Sequence, residues 1–107
     1  MPHPLQAQRE SLVEAYLEVA ERDLMRQSSG NVSCRVDGGM LISCSGASAK
    51  NLSTDRVVFV KEDGSYEGDI KPSSEWRMHS AIYRYQEKAD TVIHTHSDHC
   101  VALAVHN

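Results

Sequence analysis

The sequence contains no long apolar run, and this lack excludes several classes of protein. No stretch approaches the roughly 20 apolar residues that a membrane-spanning helix needs. Met1-Pro2-His3-Pro4 is not followed by the apolar core of a secretory signal, so no signal peptide is expected. The formal net charge of −4 argues against nucleic acid or an anionic membrane as partner, since both favour a basic surface. A local cationic pocket for a small anion is still allowed.

Cysteine is scarce and shows neither a disulfide pattern nor a metal-ligand pattern. Cys34, Cys44 and Cys100 are odd in number, widely spaced and without a C-x-x-C pair. We interpret them as small buried residues with free thiols in a reducing compartment, which predicts a cytoplasmic protein.

With 107 residues, of which 40% are hydrophobic and 24% charged, the chain fits one small globular domain over residues 1–107.

Hydrophobic periodicity predicts a mixture of helices and short strands. An amphipathic helix is expected from about Gln8 to Met25, and a second helix after Pro72 with Ser73 or Ser74 as its cap. Strands are expected at 32–36, 40–44, 57–60 (as a central strand), 91–94 and, weakly, 66–70, with a last helix from about residue 98. Because strands and helices do not alternate strictly, the pattern favours a largely antiparallel sheet covered by helices.

Two histidines follow the apolar 91–94 segment. His94 and His96 are spaced i, i+2, so on a β-strand both side chains point to the same face and offer two nitrogens to a metal ion. Without a carboxylate, such a pair is more often two half-buried strand residues than a metal site. We interpret His79 and His99 as core or supporting histidines rather than ligands.

Three short polar segments are candidate anion-binding loops. Gly30-Asn31 and Ser45-Gly46 lie where strands begin or end, and glycine-containing loops of this kind expose backbone N–H groups. Ser73-Ser74 adds hydroxyls and the positive end of a helix dipole. Each segment alone is more often only a turn or a cap. If the three converge, they would bind one phosphate, with Glu75 beside them as metal ligand or general base.

Together these features suit chemistry beside the carbonyl of a phosphorylated small molecule. A divalent metal would act as a Lewis acid on a carbonyl or hydroxyl oxygen and stabilise an enediolate. The glutamate would move the proton. The sequence therefore predicts a phosphate cradle, a carboxylate and a histidine pair in one site.

Four motifs occur in the order and spacing of the class II aldolase/adducin head family. They are Gly30-Asn31-Val32-Ser33, Ser45-Gly46, Pro72-Ser73-Ser74-Glu75-Trp76-Arg77-Met78-His79 and His94-Thr95-His96. The chain resembles this family over essentially all of its length, and within it the sugar-phosphate aldolases most. The resemblance implies a three-layer α/β/α domain around a mainly antiparallel sheet. It also implies that the chain is an N-terminal portion of that domain, truncated at its C-terminus.

The resemblance further implies a zinc-dependent retro-aldol cleavage of a ketose 1-phosphate to dihydroxyacetone phosphate and an aldehyde. Glu75 would be the acid/base and would also contact the metal, while His94 and His96 would ligate zinc. A third histidine ligand is expected beyond residue 107, so the isolated chain should bind metal weakly and have little activity. The phosphate would be held by Gly30, Asn31, Ser45, Gly46, Ser73 and Ser74. Family members are typically homotetramers with active sites at subunit interfaces.

Other functions stay open at this point. A pentulose-phosphate 4-epimerase or a sugar-phosphate dehydratase of the same family would use the same zinc site. Glu75 followed by Trp76 favours the aldolase, because the 4-epimerases of the family that this chain resembles have aspartate at the position of Glu75. A non-catalytic binding module, as the adducin head is, has no need of Glu75, His94 and His96 together. A fragment without a function of its own is the remaining alternative.

Overall fold

The computed structural model describes residues 5–21, 30–94 and 100–103. Within those residues the chain forms two α-helices, a short 3₁₀ turn and one five-stranded sheet. The elements are α1 (Gln6–Glu21), β1 (Asn31–Val36), β2 (Gly39–Ser43), the 3₁₀ turn (Thr54–Arg56), β3 (Val57–Lys61), α2 (Trp76–Tyr85), β4 (Thr91–His94) and β5 (Cys100–Leu103). The strand order is β3-β2-β1-β4-β5, and all neighbours are antiparallel.

The β1–β2 hairpin fixes the register at the centre of the sheet. Its two-residue turn is Asp37-Gly38, and Gly38 has φ +85°, a conformation that glycine adopts without strain. The next residue, Gly39, pairs with Val36, and a Cβ there would collide with the carbonyl oxygen of Val60. The strand can therefore approach β3 closely at this point.

The two helices lie on opposite faces of the sheet. Cys34 of β1 lines a cavity together with residues of α1. Its neighbour Ser33 hydrogen-bonds to His79 and Tyr83 of α2. Because consecutive strand residues point to opposite faces, α1 and α2 sandwich the sheet, as the predicted α/β/α layering requires. The buried core is built mainly from the strands, with Leu12 and Tyr16 of α1 among its members.

Arg35 anchors the C-terminal end of α2 to the sheet. Its Nη2 donates to the carbonyl oxygens of Tyr83 at 2.9 Å and Gln86 at 2.8 Å, and its Nε donates to that of Ala89 at 3.0 Å. The guanidinium also lies 4.8 Å from the centre of the Tyr83 ring. One cation thus binds a carbonyl in the last turn of α2 and two carbonyls of the segment that follows the helix.

Three expectations about the elements are wrong. The apolar 57–60 segment forms an edge strand, not a central one; Val57, Val58 and Val60 are buried because both faces of β3 are covered. The weak strand at 66–70 is reduced to a single bridge between Tyr66 and Val60. The helix expected from about residue 98 is replaced over 100–103 by β5, which pairs with β4. A short apolar segment fits either period, and the free edge of β4 decides between them.

The first helix was predicted well. It begins two residues before the expected Gln8 and is helical to Glu21, the last described residue before the gap. Residues 22–25 of the prediction lie outside the described residues. No helix in the part of the chain that the structure describes is long and apolar enough to cross a membrane.

Candidate functional site

The three predicted anion-binding segments meet at one end of the sheet. The Val32 N–H donates to Ser43 Oγ at 3.1 Å, which ties the start of β1 to the end of β2. The Ser73 N–H donates to the Ser43 carbonyl at 3.0 Å, and the Ser45 N–H donates to the Lys71 carbonyl at 2.9 Å. Ser43, which the motifs did not single out, therefore joins all three segments. Its position at the end of β2, directly before Cys44 and the predicted loop, is the sequence feature that could have identified it as a site residue.

The six predicted phosphate-binding residues differ in exposure. Gly30, Asn31 and Ser73 are buried, whereas Ser45, Gly46 and Ser74 are exposed. Gly46 has φ +72°, and a Cβ added to it would meet no atom within 4 Å, so the loop is open to solvent there. The segments therefore combine three buried residues with three that solvent can reach.

Glu75 lies at the start of α2 with its side chain exposed. It occupies the N-cap position, but its carboxylate makes no capping hydrogen bond to the helix. Its N–H donates to Ser73 Oγ at 3.2 Å, and its carbonyl oxygen accepts from the N–H groups of Met78 and His79. The predicted helix cap, Ser73 or Ser74, is therefore wrong, because Glu75 is the N-cap residue. Ser73 Oγ instead accepts a hydrogen bond from the Glu75 N–H, and the Glu75 carboxylate makes no capping bond.

His94 ends β4 beside the start of β1. It pairs with Asn31 across the two strands, and the Asn31 Nδ2–H donates to His94 Nδ1 at 3.4 Å. The other end of the same amide, Asn31 Oδ1, accepts a hydrogen bond from His79 Nε2. Asn31 is only 4% exposed, so its side chain is already engaged on both sides.

The hydrogen bonds continue from His79 into the core. Ser33 Oγ lies 2.6 Å from His79 Nδ1 and 2.7 Å from Tyr83 Oη. His79 is fully buried, which confirms the prediction of a core histidine. Burial, reinforced by the nearby His94, lowers the pKa of His79 to about 4, so its ring is neutral at pH 7. Burial raises the pKa of the Tyr83 hydroxyl, which therefore stays protonated.

The part that Ser33 plays in these contacts was not predicted from the motifs. Asn31 and Ser33 are spaced i, i+2 on β1, and His79 and Tyr83 are spaced i, i+4 on α2. Each pair therefore lies on one face of its element, and the two faces meet. The spacing was visible in the sequence, but the contact between the two elements was not.

The predicted free thiols are confirmed for two of the cysteines. Cys34 and Cys44 are both unpaired, with Cys44 buried and Cys34 partly buried. Burial raises the pKa of the Cys34 thiol to about 11, so it is not a reactive thiolate at neutral pH. The side chain of Cys100 lies outside the described residues.

The described residues supply only part of a metal site. Among residues 5–21, 30–94 and 100–103, no three side chains of His, Cys, Asp or Glu form a group that could hold a metal ion. His94 offers a ring nitrogen at the strand end and Glu75 an exposed carboxylate at the same end of the sheet, donor types that suit zinc. His96 and His99 lie outside the described residues. A complete set of ligands would need donors in addition to these two.

The chain belongs to the class II aldolase and adducin N-terminal domain family, whose model matches residues 10–107. Class II aldolases are generally metal-dependent. The family match agrees with the layered fold and with the motifs that meet at this end of the sheet.

The proteins that the chain is similar to include sugar-phosphate aldolases. The 5-methylthioribulose-1-phosphate/5-deoxyribulose-1-phosphate aldolase of Escherichia coli O45:K1 is 40% identical over 98 residues, which cover 92% of this chain and 46% of the relative. The L-fuculose phosphate aldolase of Escherichia coli strain K12 is 36% identical over 96 residues, with coverage of 90% and 45%. A solved L-fuculose 1-phosphate aldolase superposes with a TM-score of 0.76 at 30% identity, covering 82% of this chain and 43% of that one. The chain spans about half the length of the curated relatives it matches.

Proposed function

We propose that the protein containing this chain is a zinc-dependent aldolase that cleaves a ketose 1-phosphate to dihydroxyacetone phosphate and an aldehyde. L-fuculose 1-phosphate and 5-methylthioribulose 1-phosphate are the first substrates to test, because relatives carry those names. The observation that carries the proposal is the meeting of the 30–31, 43–46 and 73–75 segments beside His94 at one end of the sheet.

The polar segments would bind the substrate phosphate. In this proposal the exposed Ser45 and Ser74 hydroxyls donate to phosphate oxygens, and the start of α2 contributes its positive dipole end. Gly30, Gly46 and Ser73 shape the cradle. Asn31 would help to form the cradle from a position that its amide fixes by bonding to His79 and His94. The N–H of Ser45 is bonded to Lys71, so we assign the anion to the serine hydroxyl rather than to that N–H.

Glu75 would transfer the proton. In retro-aldol cleavage the C4 hydroxyl would pass its proton to the Glu75 carboxylate, the bond between C3 and C4 would break, and the protonated Glu75 would return that proton to C3 of the departing dihydroxyacetone phosphate. An exposed carboxylate free of capping bonds, next to the phosphate-binding serines, suits this exchange at C3.

The histidines would hold the metal. When bound, zinc supplies Lewis-acid polarisation of the substrate carbonyl. We assign His94, His96 and Glu75 as ligands, with a further histidine expected beyond residue 107. We also propose that the protein is a homotetramer, as the family resemblance implies, and that it is cytoplasmic, as the free thiols predict.

Release of dihydroxyacetone phosphate from a panel of ketose 1-phosphates tests the proposal. The whole natural protein would be assayed with zinc, by coupling the product to NADH oxidation. We expect cleavage of at least one substrate, a loss of about 100-fold or more in Glu75→Gln, and little change in the exposed control Glu67→Gln. Interconversion of pentulose phosphates without dihydroxyacetone phosphate would favour the epimerase instead. No turnover and no zinc in the purified protein would favour a binding module.

A further inference from the structure

Five side chains form a continuous buried relay that ends at His94. The relay consists of Tyr83, Ser33, His79, Asn31 and His94, linked in that order by hydrogen bonds. It runs from the core side of α2, through β1, to the last residue of β4. Four of its members are buried and the fifth, His94, is half-buried.

Between Ser33 and His94 the relay has two self-consistent directions of proton donation. Each hydroxyl has one proton, a neutral imidazole has one N–H and one free nitrogen, and an amide has one donor end and one acceptor end. From His79 to His94 the state of each link therefore sets the next, whereas Ser33 Oγ has two lone pairs and can accept from both His79 and Tyr83. In the structure, His79 Nε2–H donates to Asn31 Oδ1, and Asn31 Nδ2–H donates to His94 Nδ1. This direction leaves the proton of a neutral His94 ring on Nε2.

A histidine that binds a metal needs the opposite arrangement. Such a ligand uses its unprotonated nitrogen and donates its other N–H to an oxygen. Here Nδ1 of His94 faces the amide of Asn31, so binding through Nε2 requires Asn31 Oδ1 to turn toward His94. Asn31 Nδ2 then faces His79, whose proton must move from Nε2 to Nδ1 and point at Ser33.

We propose that metal binding at His94 Nε2 reverses the direction of donation between His94 and Ser33, and that His79 is a positioning residue that orients His94 through Asn31. No proton is gained or lost by the relay, because each imidazole keeps one N–H and moves it to the other nitrogen. Asn31 also begins β1 beside Gly30, so one amide joins the metal ligand to the segment assigned to phosphate. The inference rests on the proposed function, since it takes His94 to be a ligand.

The tautomer of His79 tests the proposal. Protein labelled with ¹⁵N-histidine would be titrated with Zn²⁺ at pH 7.5, and long-range ¹H–¹⁵N spectra would show which ring nitrogen carries the proton, with His79→Gln used for assignment. We expect His79 to be a single Nε2–H tautomer without zinc and a single Nδ1–H tautomer with it. An unchanged His79 tautomer, with the His94 signals showing bound zinc, would overturn the inference and leave the proposed function standing. Unchanged His94 signals under saturating zinc would overturn both.

Zinc affinity provides a second measurement. His79→Gln is expected to weaken zinc binding about 10- to 100-fold, the usual effect of removing a group that orients a ligand. Arg84→Gln, an exposed change on the same helix, is the matched control and should keep the original affinity. A folded His79→Gln variant with lower thermal stability and unchanged zinc affinity would show a structural role only and would contradict the proposal. The tautomer experiment on the unmodified protein decides the question if the variant does not fold.

Discussion

Asn31 Nδ2 lies 3.4 Å from His94 Nδ1, and the Oδ1 atom of the same amide bonds to His79. A residue predicted from sequence as a phosphate contact is thus also the link between a candidate metal ligand and the core. Because all three side chains are at least half-buried, their polar atoms depend on one another for partners.

Replacing Asn31 should therefore destabilise the fold as well as the site. Asn31→Ala leaves His79 Nε2 without a partner, which should lower the free energy of unfolding by about 1–3 kcal/mol. Asn51→Ala is the control: its amide also makes two hydrogen bonds, to Ser48 and Gly46, but at an exposed site, and should cost less than about 1 kcal/mol. Urea unfolding of both variants measures the difference. Equal losses would show that burial of the Asn31 amide is unimportant.

Arg35 should carry much of the attachment of α2. Arg35→Met removes a cation that bonds to the carbonyls of Tyr83, Gln86 and Ala89, and should lower the free energy of unfolding by about 2–3 kcal/mol. Arg84→Met, on the exposed side of the same helix, should change it by less than about 0.5 kcal/mol. Chemical denaturation followed by circular dichroism compares them. A similar small effect in both variants would contradict the anchoring role.

Gly64 and Gly68 form a matched pair that tests the packing of Trp76 beside Glu75. Both glycines have positive φ, at +92° and +96°, so alanine is strained at either position. At Gly64 a Cβ would also lie 2.7 Å from the Trp76 ring, whereas at Gly68 it would meet no atom within 4 Å. Gly64→Ala should therefore cost about 1–2 kcal/mol more than Gly68→Ala.

Fluorescence makes that comparison specific, because Trp76 is the single tryptophan of the chain. Gly64→Ala should shift the Trp76 emission, and Gly68→Ala should leave it unchanged. Identical spectra and stabilities in the two variants would contradict the contact between Gly64 and the Trp76 ring.

The Cys34 thiol should resist alkylation until strongly alkaline pH. Burial raises its pKa from the ordinary 9.0 to about 11, so at pH 8 the thiolate fraction is about 100-fold lower than in the unfolded chain. The unfolded state loses this proton near pH 9 and the folded state near pH 11. The free energy of unfolding therefore falls as pH rises between those values. Below pH 9 the thiol is protonated in both states, so Cys34 does not make the stability depend on pH.

Mass spectrometry of the peptide that contains Cys34, after timed iodoacetamide treatment from pH 7.5 to 11, measures this profile. The same protein in urea is the control. A native profile that coincides with the profile in urea would show that the thiol is not protected.

Local patterns in the sequence predicted most of the elements. The alternation of Val32, Cys34 and Val36 identified the strand that forms β1, because the strand period is local. The edge position of β3 was missed because its residues are buried on both faces. The sequence of a strand does not show whether such burial belongs to a central strand or to an edge strand that other elements cover. Likewise, 100–103 is too short for periodicity to separate strand from helix, and the pairing with β4 settles it.

The sequence predicted which residues form the candidate site but not the hydrogen bonds that connect them. The motifs named the segments around Gly30, Ser45 and Ser73, and the structure brings them to one end of the sheet. Ser33 and Ser43 looked like ordinary strand serines, yet both are fully buried and bond across to other elements. Such contacts depend on how strands and helices pack, which is set by long-range pairing rather than by local spacing. His96 lies outside the described residues, so its predicted role stays a prediction.

Proton exchange into dihydroxyacetone phosphate tests the central claim most directly, because it needs the phosphate cradle, the metal and Glu75 but no aldehyde. The whole natural protein, loaded with zinc, would be incubated with dihydroxyacetone phosphate in D₂O and followed by ¹H NMR. We predict stereospecific loss of one C3 proton signal, slowed about 100-fold or more in Glu75→Gln and abolished by a chelator. Absence of exchange in the zinc-loaded protein, or exchange at an undiminished rate in Glu75→Gln, would contradict the proposed function.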